Sequence, residues 1–242
     1  MSWGPIVVGV DTSTAAAGAA AVGERLAKLA NVPFRLIHAV RDAWAPLVAV
    51  SADPQVVKMQ RLQLAVARHH VNEALGTVVS ERLREKVDII FGPPPVVLQH
   101  IMREQRPGLV VLGGKHHSTL ERWLGGSTSL HVVRSAEVPV LITAGTPTFK
   151  RVLIAADLSA AAGPTIGLAD RFARLVGAEL RVLTVLEPLP DLAGIPSVDA
   201  TEYFALAQET LEREIWPLVK APGVEKFVRH GTVVDTLLRE AA

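Results

Sequence analysis

Two rhythms alternate along the chain. Short apolar runs rich in β-branched residues, Ile6–Val10, Phe34–Val40, Asp88–Phe91, Leu109–Leu112 and Val138–Thr143, read as strands covered on both faces. Between them lie segments of helical character. Thr14–Ala30 is alanine-rich, with Leu26 and Leu29 at helical spacing. Asp53-Pro54 supplies an N-cap followed by proline at the first helical position, which opens a long helix through about Leu75. Gly92-Pro-Pro-Pro95 reads as a loop, Val96–Glu104 as a helix, Thr119–Trp123 as a short helix and Thr128–Arg134 as another. Strands separated by helices require right-handed crossovers, and so a parallel sheet with helices on both faces.

The pattern then recurs. Ile6-Val-Val-Gly-Val-Asp-Thr-Ser13 lies over Val152-Leu-Ile-Ala-Ala-Asp-Leu-Ser159 at an offset of 146 residues, and the match runs without a gap through Val40 over Leu186. Asp11/Asp157, Ser13/Ser159, Arg25/Arg171 and Arg35/Arg181 are identical pairs. Farther on, Phe91-Gly92 falls on His230-Gly231 and Leu98 on Leu237 at an offset of 139. Two copies of one unit are therefore expected, residues 1–146 and 150–242, with Ala144–Phe149 as the connecting segment. The second copy stops inside the helix equivalent to Val96–Glu104, so it lacks counterparts of roughly residues 104–149 and reads as an incomplete domain.

Composition narrows the class. Hydrophobic residues make up 49% of the 242 and charged residues 20%, ample for a packed core. A net charge of +1 argues against nucleic acid or an anionic membrane as the main partner. The absence of cysteine removes disulfide frameworks, thiolate metal sites and thiol nucleophiles. The start of the chain shows no basic segment or cleavage site of a secretory signal, and no apolar run approaches the length of a membrane span. A soluble, cytoplasmic protein is the expectation.

In an open parallel sheet, ligands sit past the carboxyl ends of strands where the strand order reverses. Asp11-Thr12-Ser13, Val40-Arg41-Asp42 and Gly113-Gly114-Lys115-His116-His117 all follow strands, and Gly126-Ser127-Thr128-Ser129 opens a helix. A glycine at a strand end lets backbone approach a ligand. A Gly-Ser-Thr helix start offers free N–H groups, hydroxyls and the positive end of the helix dipole, which suits phosphate. The spacing is neither that of a P-loop nor Gly-x-Gly-x-x-Gly. Gly113 and Gly126 can equally be glycines that only end a strand and a helix.

Val7-Val-Gly-Val-Asp11, Gly113-x2-His116-x9-Gly126-Ser127 and the closing Val138-Pro-Val-Leu-Ile142 resemble the universal stress protein family in tandem form. The resemblance covers essentially the whole chain. It implies two Rossmann-like domains of the adenine nucleotide α-hydrolase-like architecture, the second truncated, with an ATP site in the first and Mg²⁺ as a companion of the nucleotide. By resemblance, Asp11 with Thr12 meets adenine or its ribose side, and the Val40 backbone reads the adenine edge. Gly113, Gly126, Ser127 and Thr128 surround ribose and phosphates. His116 stands where the family pattern has its second glycine. Its side chain either crowds the phosphates or donates to them, more strongly as imidazolium.

Other residues read as structural. Ser118-x-x-Glu121 is a capping box, His38 lies in a strand as a satisfied core histidine, and His69-His70 lie on the solvated or interface face of the long helix. Trp3, Trp44, Trp123 and Trp216 read as packing or interface residues. No general base faces a defined water, and Asp11 and Asp42 are the carboxylates at hand for Mg²⁺, so nucleotide binding with at most slow hydrolysis is the leading reading. The alternatives are an interaction protein of the same fold that binds no nucleotide, and an enzyme of small phosphorylated substrates using His116 or His117. The family also pairs its last strand between domains. With no second-copy counterpart of Val138–Thr143, that apolar edge predicts a homodimer through antiparallel pairing.

Overall fold

In the computed structural model, the described residues are 3–41, 54–76, 78–114, 127–188 and 200–241. They form two compact units, Met1–Pro147 and Thr148–Ala242. The first contains β1 (Ile6–Gly9), α1 (Thr14–Ala30), β2 (Phe34–Val40), α2 (Pro54–Leu75), α3 (Glu81–Arg84), β3 (Asp88–Phe91), α4 (Pro94–Gln105), β4 (Leu109–Gly113), α5 (Ser127–Ser135) and β5 (Val140–Thr143). Its five strands are all parallel, in the order β3-β2-β1-β4-β5. The chain thus winds outward from β1 in one direction, then returns to start again at β4 on the other side. The reversal falls between β1 and β4.

β1 is the centre of this unit. Ile6, Val7 and Val8 are each at most 1% exposed, because β2 and β4 flank the strand and helices cover both faces. Burying each such side chain contributes about 1.5–3 kcal/mol. α1 packs closely because its buried first turns carry only small residues, Ala16, Ala17, Gly18, Ala19 and Ala20. A methyl group on Gly18 would meet the Gly145 carbonyl oxygen at 2.7 Å, so the helix has no room for a larger residue there. The observed bounds differ from the sequence reading where proline is involved. α4 starts at Pro94, inside the expected loop, because the first helical turn leaves its N–H groups unpaired and tolerates proline. β5 starts at Val140, not Val138, although the Pro139 carbonyl still accepts from the Val110 N–H at 2.9 Å.

The second unit contains β6 (Arg151–Ala155), α6 (Ala162–Val176), β7 (Glu179–Leu186), α7 (Ala200–Thr210), β8 (Glu225–His230) and α8 (Val233–Ala241). Between α7 and β8 the chain makes a π turn, Leu211–Ile215, and a 3-10 turn, Trp216–Leu218. Its parallel sheet has the order β6-β7-β8, matching β1-β2-β3. Leu211, Ile215 and Trp216 pack with Ile154, Ile166 and Val182 in its core.

The internal repeat extends to atomic detail. Asn31 and Gly177 occupy the same place after α1 and α6, both left-handed, with φ of 52° and 69°. The buried His38 Nδ1 lies 2.8 Å from the Val10 carbonyl oxygen, and Thr184 Oγ1 donates to the Ala156 carbonyl at the same 2.8 Å. Two chemically different side chains satisfy the equivalent carbonyl just past the first strand of each unit, which marks His38 as a core residue. No helix among the described residues is long and apolar enough to cross a membrane.

Candidate functional site

A cleft opens at the carboxyl ends of β1 and β4, where the strand order reverses. It holds about 130 Å³ of water-accessible space. Its floor is apolar, with Val10 at the end of β1, Ile37 and Ala39 on β2, Ala16 on α1, and Leu98 on α4. Its rim is polar, formed by Asp11, Thr128 and Ser129. Asp11 is the one ionisable side chain in the lining among the described residues.

Local hydrogen bonds hold Asp11 in place. The Ser13 backbone N–H donates to Asp11 Oδ1 at 2.9 Å, and the Ser13 hydroxyl donates to the same oxygen. This turn leaves Oδ2 outside these two bonds. The same turn recurs in the second unit, where Asp157 Oδ1 accepts from the Ser159 N–H at 3.0 Å and from Ser159 Oγ at 2.6 Å. There the serine hydroxyl, more than any other neighbour, holds the Asp157 carboxyl below the usual carboxylate range.

Gly113 closes β4 against α1. A Cβ at this position would lie 2.8 Å from the Ala15 carbonyl oxygen and 2.9 Å from its carbonyl carbon. The glycine is thus demanded by the packing of strand on helix, whatever else occupies the cleft. Ser129 is buried, with its hydroxyl 3.5 Å from the Gly113 carbonyl oxygen. Thr128 lies in the first turn of α5, whose backbone begins at Ser127.

Asp11, Gly113 and Thr128, expected as site residues, are gathered here from β1, β4 and α5. Val40 and Thr12 are not in the lining. Thr12 is exposed, and the Val40 carbonyl accepts the Gly92 N–H at 2.8 Å as β2 pairs with β3. Ala39 faces the cleft in place of Val40. His116, His117, Gly126 and Asp42 lie outside the described residues, as do the capping box at Ser118, the short helix expected at Thr119–Trp123, Trp44 and the side chain of Ser127. Among the described histidines, His69 and His70 form an exposed tilted pair, with His69 Nε2 3.6 Å from Glu73. Sequence reasoning did not single out the apolar floor. Its signal was the pairing of Ile37 with Ala39 two apart on β2 and of Pro94 with Leu98 four apart on α4, which point side chains to one face.

A doubly wound parallel sheet with a cleft at its switch point defines an open α/β fold whose ligands sit at that point. The sequence profile of the universal stress protein family matches residues 2–144 and again 148–242, and the chain belongs to that family, with two copies of its domain in tandem. Universal stress protein Rv2623 of Mycobacterium tuberculosis is 32% identical over 146 residues, which cover 57% of this chain and 46% of that protein. Universal stress protein Mb2028c of Mycobacterium bovis is 29% identical over 147 residues, with the same coverage. The chain therefore spans about half the length of these relatives. Among solved structures, a universal stress protein from Archaeoglobus fulgidus matches 98% of this chain and 82% of its own, at 16% identity and a TM-score of 0.57, which bears on the fold. A universal stress protein solved in complex with cAMP covers 60% of this chain and all of its own, at 21% identity and a TM-score of 0.38.

Proposed function

We propose that the first unit binds an adenine nucleotide, ATP with Mg²⁺, and serves as a nucleotide-responsive stress protein rather than an efficient hydrolase. The observation that carries this reading is the cleft at the β1/β4 switch point, apolar on its floor and polar on its rim. The residues present suit the ligand. Val10, Ile37, Ala39 and Leu98 offer a surface for a planar base, and Asp11 Oδ2 is an acceptor for ribose hydroxyls. Thr128, Ser129 and the first-turn N–H groups of α5 face the place of the phosphates, where Gly126, Ser127 and His116 would add donors. Bound ATP supplies charge and binding energy that bias the loops around it; the chain's own groups orient it. A cytoplasmic location accords with this role.

The reading of a nucleotide-free interaction protein draws on Gly113, whose glycine the packing against Ala15 already requires. Calorimetric titration of ATP into the wild-type chain and a Gly126→Val variant separates the two. A valine at the phosphate-side helix start should abolish ATP binding while the circular dichroism spectrum stays native. Unchanged affinity in the folded variant refutes the site. If His116 faces the phosphates, affinity should rise as the pH falls from about 8 to 5.5, and His116→Gly should flatten that dependence.

We further infer that two copies pair through residues 138–143. β5 is the edge strand of its sheet, with β4 on one side, and its three apolar residues Val140, Leu141 and Ile142 are only half-buried.

A further inference from the structure

The cleft of the first unit is supported from behind. Ile37 and Ala39 face it from β2, so His38 between them turns to the opposite face of the sheet, where it is buried. From there its Nδ1 lies 2.8 Å from the Val10 carbonyl oxygen. A carbonyl oxygen only accepts, so Nδ1 carries the hydrogen, and Nε2 is left as the acceptor nitrogen of the neutral ring. Val10 is where the chain leaves the sheet. The register of β1 with β2 ends at Gly9 against Ile37, and one more backbone bond follows, from the Val10 N–H to the Ile37 carbonyl at 2.9 Å. Val10 is thus gripped twice, its N–H by the backbone of β2 and its carbonyl by the His38 side chain. The peptide that starts at this carbonyl leads directly into Asp11. On the far side, the Ser13 N–H and hydroxyl hold Asp11 Oδ1. The one carboxylate described in the cleft lining is therefore fixed from both directions.

The second unit builds the same grip from different chemistry. At the offset of 146, Ala156, Asp157 and Thr184 stand in the places of Val10, Asp11 and His38. The Ala156 N–H donates to the Leu183 carbonyl at 2.9 Å, and Thr184 Oγ1 donates to the Ala156 carbonyl at 2.8 Å. Histidine and threonine differ in size and shape. What they share here is a hydrogen-bond donor aimed at one carbonyl. Filling the core needs no donor: Leu36, two residues earlier on the same face of β2, is apolar and buried. A buried carbonyl deprived of its donor is costly, so its peptide turns toward another partner.

We infer that His38 is a positioning residue of the first cleft: by holding the Val10 carbonyl it orients the Val10–Asp11 peptide and aims the Asp11 carboxylate, without touching the ligand. Its effect on binding rests on the reading of this cleft as an adenine-nucleotide site, in which Asp11 accepts from ribose hydroxyls. Its effect on the ligand-free chain rests on the hydrogen bonds alone.

Two variants of the full chain test this. His38→Val removes the donor, and His38→Thr supplies the donor that the second unit uses. In calorimetric titration, His38→Val should weaken ATP binding by about tenfold or more, the worth of a hydrogen bond to a charged group, while His38→Thr stays within about threefold of wild type. The probe 2′,3′-dideoxy-ATP lacks the hydroxyls that Asp11 accepts, and it should bind all three proteins with the same affinity. In NMR spectra of the nucleotide-free protein in mildly alkaline solution, the His38 ring should carry its hydrogen on Nδ1. The Asp11 amide resonance should move in His38→Val and return toward its wild-type position in His38→Thr. Wild-type ATP affinity in His38→Val, the same loss in His38→Thr, an equal loss for the dideoxy nucleotide, or a ring hydrogen on Nε2 alone would each overturn the inference. If His38→Val does not fold, His38→Thr and the ring tautomer decide it by the same criteria. If the wild-type chain binds no ATP while the NMR signatures are as expected, the grip on Asp11 stands and the reading of the cleft as a nucleotide site falls instead.

Discussion

Replacing Gly113 by alanine asks why that glycine is there. The added Cβ would lie 2.8 Å from the Ala15 carbonyl oxygen, 2.9 Å from the Ala15 carbonyl carbon and 3.0 Å from the Ala15 Cβ. Favourable contact between carbons needs about 3.5–4.0 Å, so the shortfall is several tenths of an ångström against three atoms at once. None of the three is the end of a flexible side chain. α1 has little room to retreat, since Ala16, Ala17, Ala19 and Ala20 are buried beneath it, and β4 is held in register between β1 and β5. Overpacking of this kind costs about 1–3 kcal/mol. For a unit of this size, about 2 kcal/mol corresponds to roughly 4–8 °C in Tm. Thermal unfolding of the nucleotide-free protein, followed by circular dichroism, should show that loss for Gly113→Ala. If the variant unfolds at the wild-type temperature, the packing explanation is wrong and the glycine serves only a ligand.

Gly167 is the converse case: exposed in the middle of α6, with nothing within 4 Å of an added Cβ, it should yield a Gly167→Ala variant about 0.5–1 kcal/mol more stable in urea unfolding. Because the Ser159 hydroxyl lowers the Asp157 pKa in the folded chain, the carboxyl should titrate below the ordinary value near 3.9 in an NMR titration, and Ser159→Ala should move its midpoint up. The associated stability is present above the unfolded-state pKa and is lost as the pH falls through the lower folded value, so Ser159→Ala should flatten the decline in stability below about pH 4. Leu141→Lys on β5 should weaken self-association by more than about tenfold in sedimentation, through the like charges it brings together across a two-fold axis; wild-type protein that sediments as a monomer at micromolar concentration refutes the dimer.

Much of this molecule is legible along the chain because its signals are local. Apolar runs bounded by Gly, Asp and Pro, as at Ile6–Gly9 and Leu109–Gly113, mark strands through their short length, β-branched content and flanking breakers. The repeat is legible for the same reason, since Asp11-x-Ser13 and Asp157-x-Ser159 build identical turns from three consecutive residues. Asp11, Gly113 and Thr128 were reachable because each stands at the end of a recognisable element. Distance in sequence hid the rest. That Ala39 rather than Val40 lines the cleft depends on the register of β2 against β1 and β3, which sets the face each side chain takes. That Gly113 must be glycine depends on Ala15, and that Glu187 stops the start of α8 depends on a contact across 46 residues. Contacts of that kind exist only once the sheet has brought strand ends together, and there the two copies of one sequence pattern acquire different chemistry.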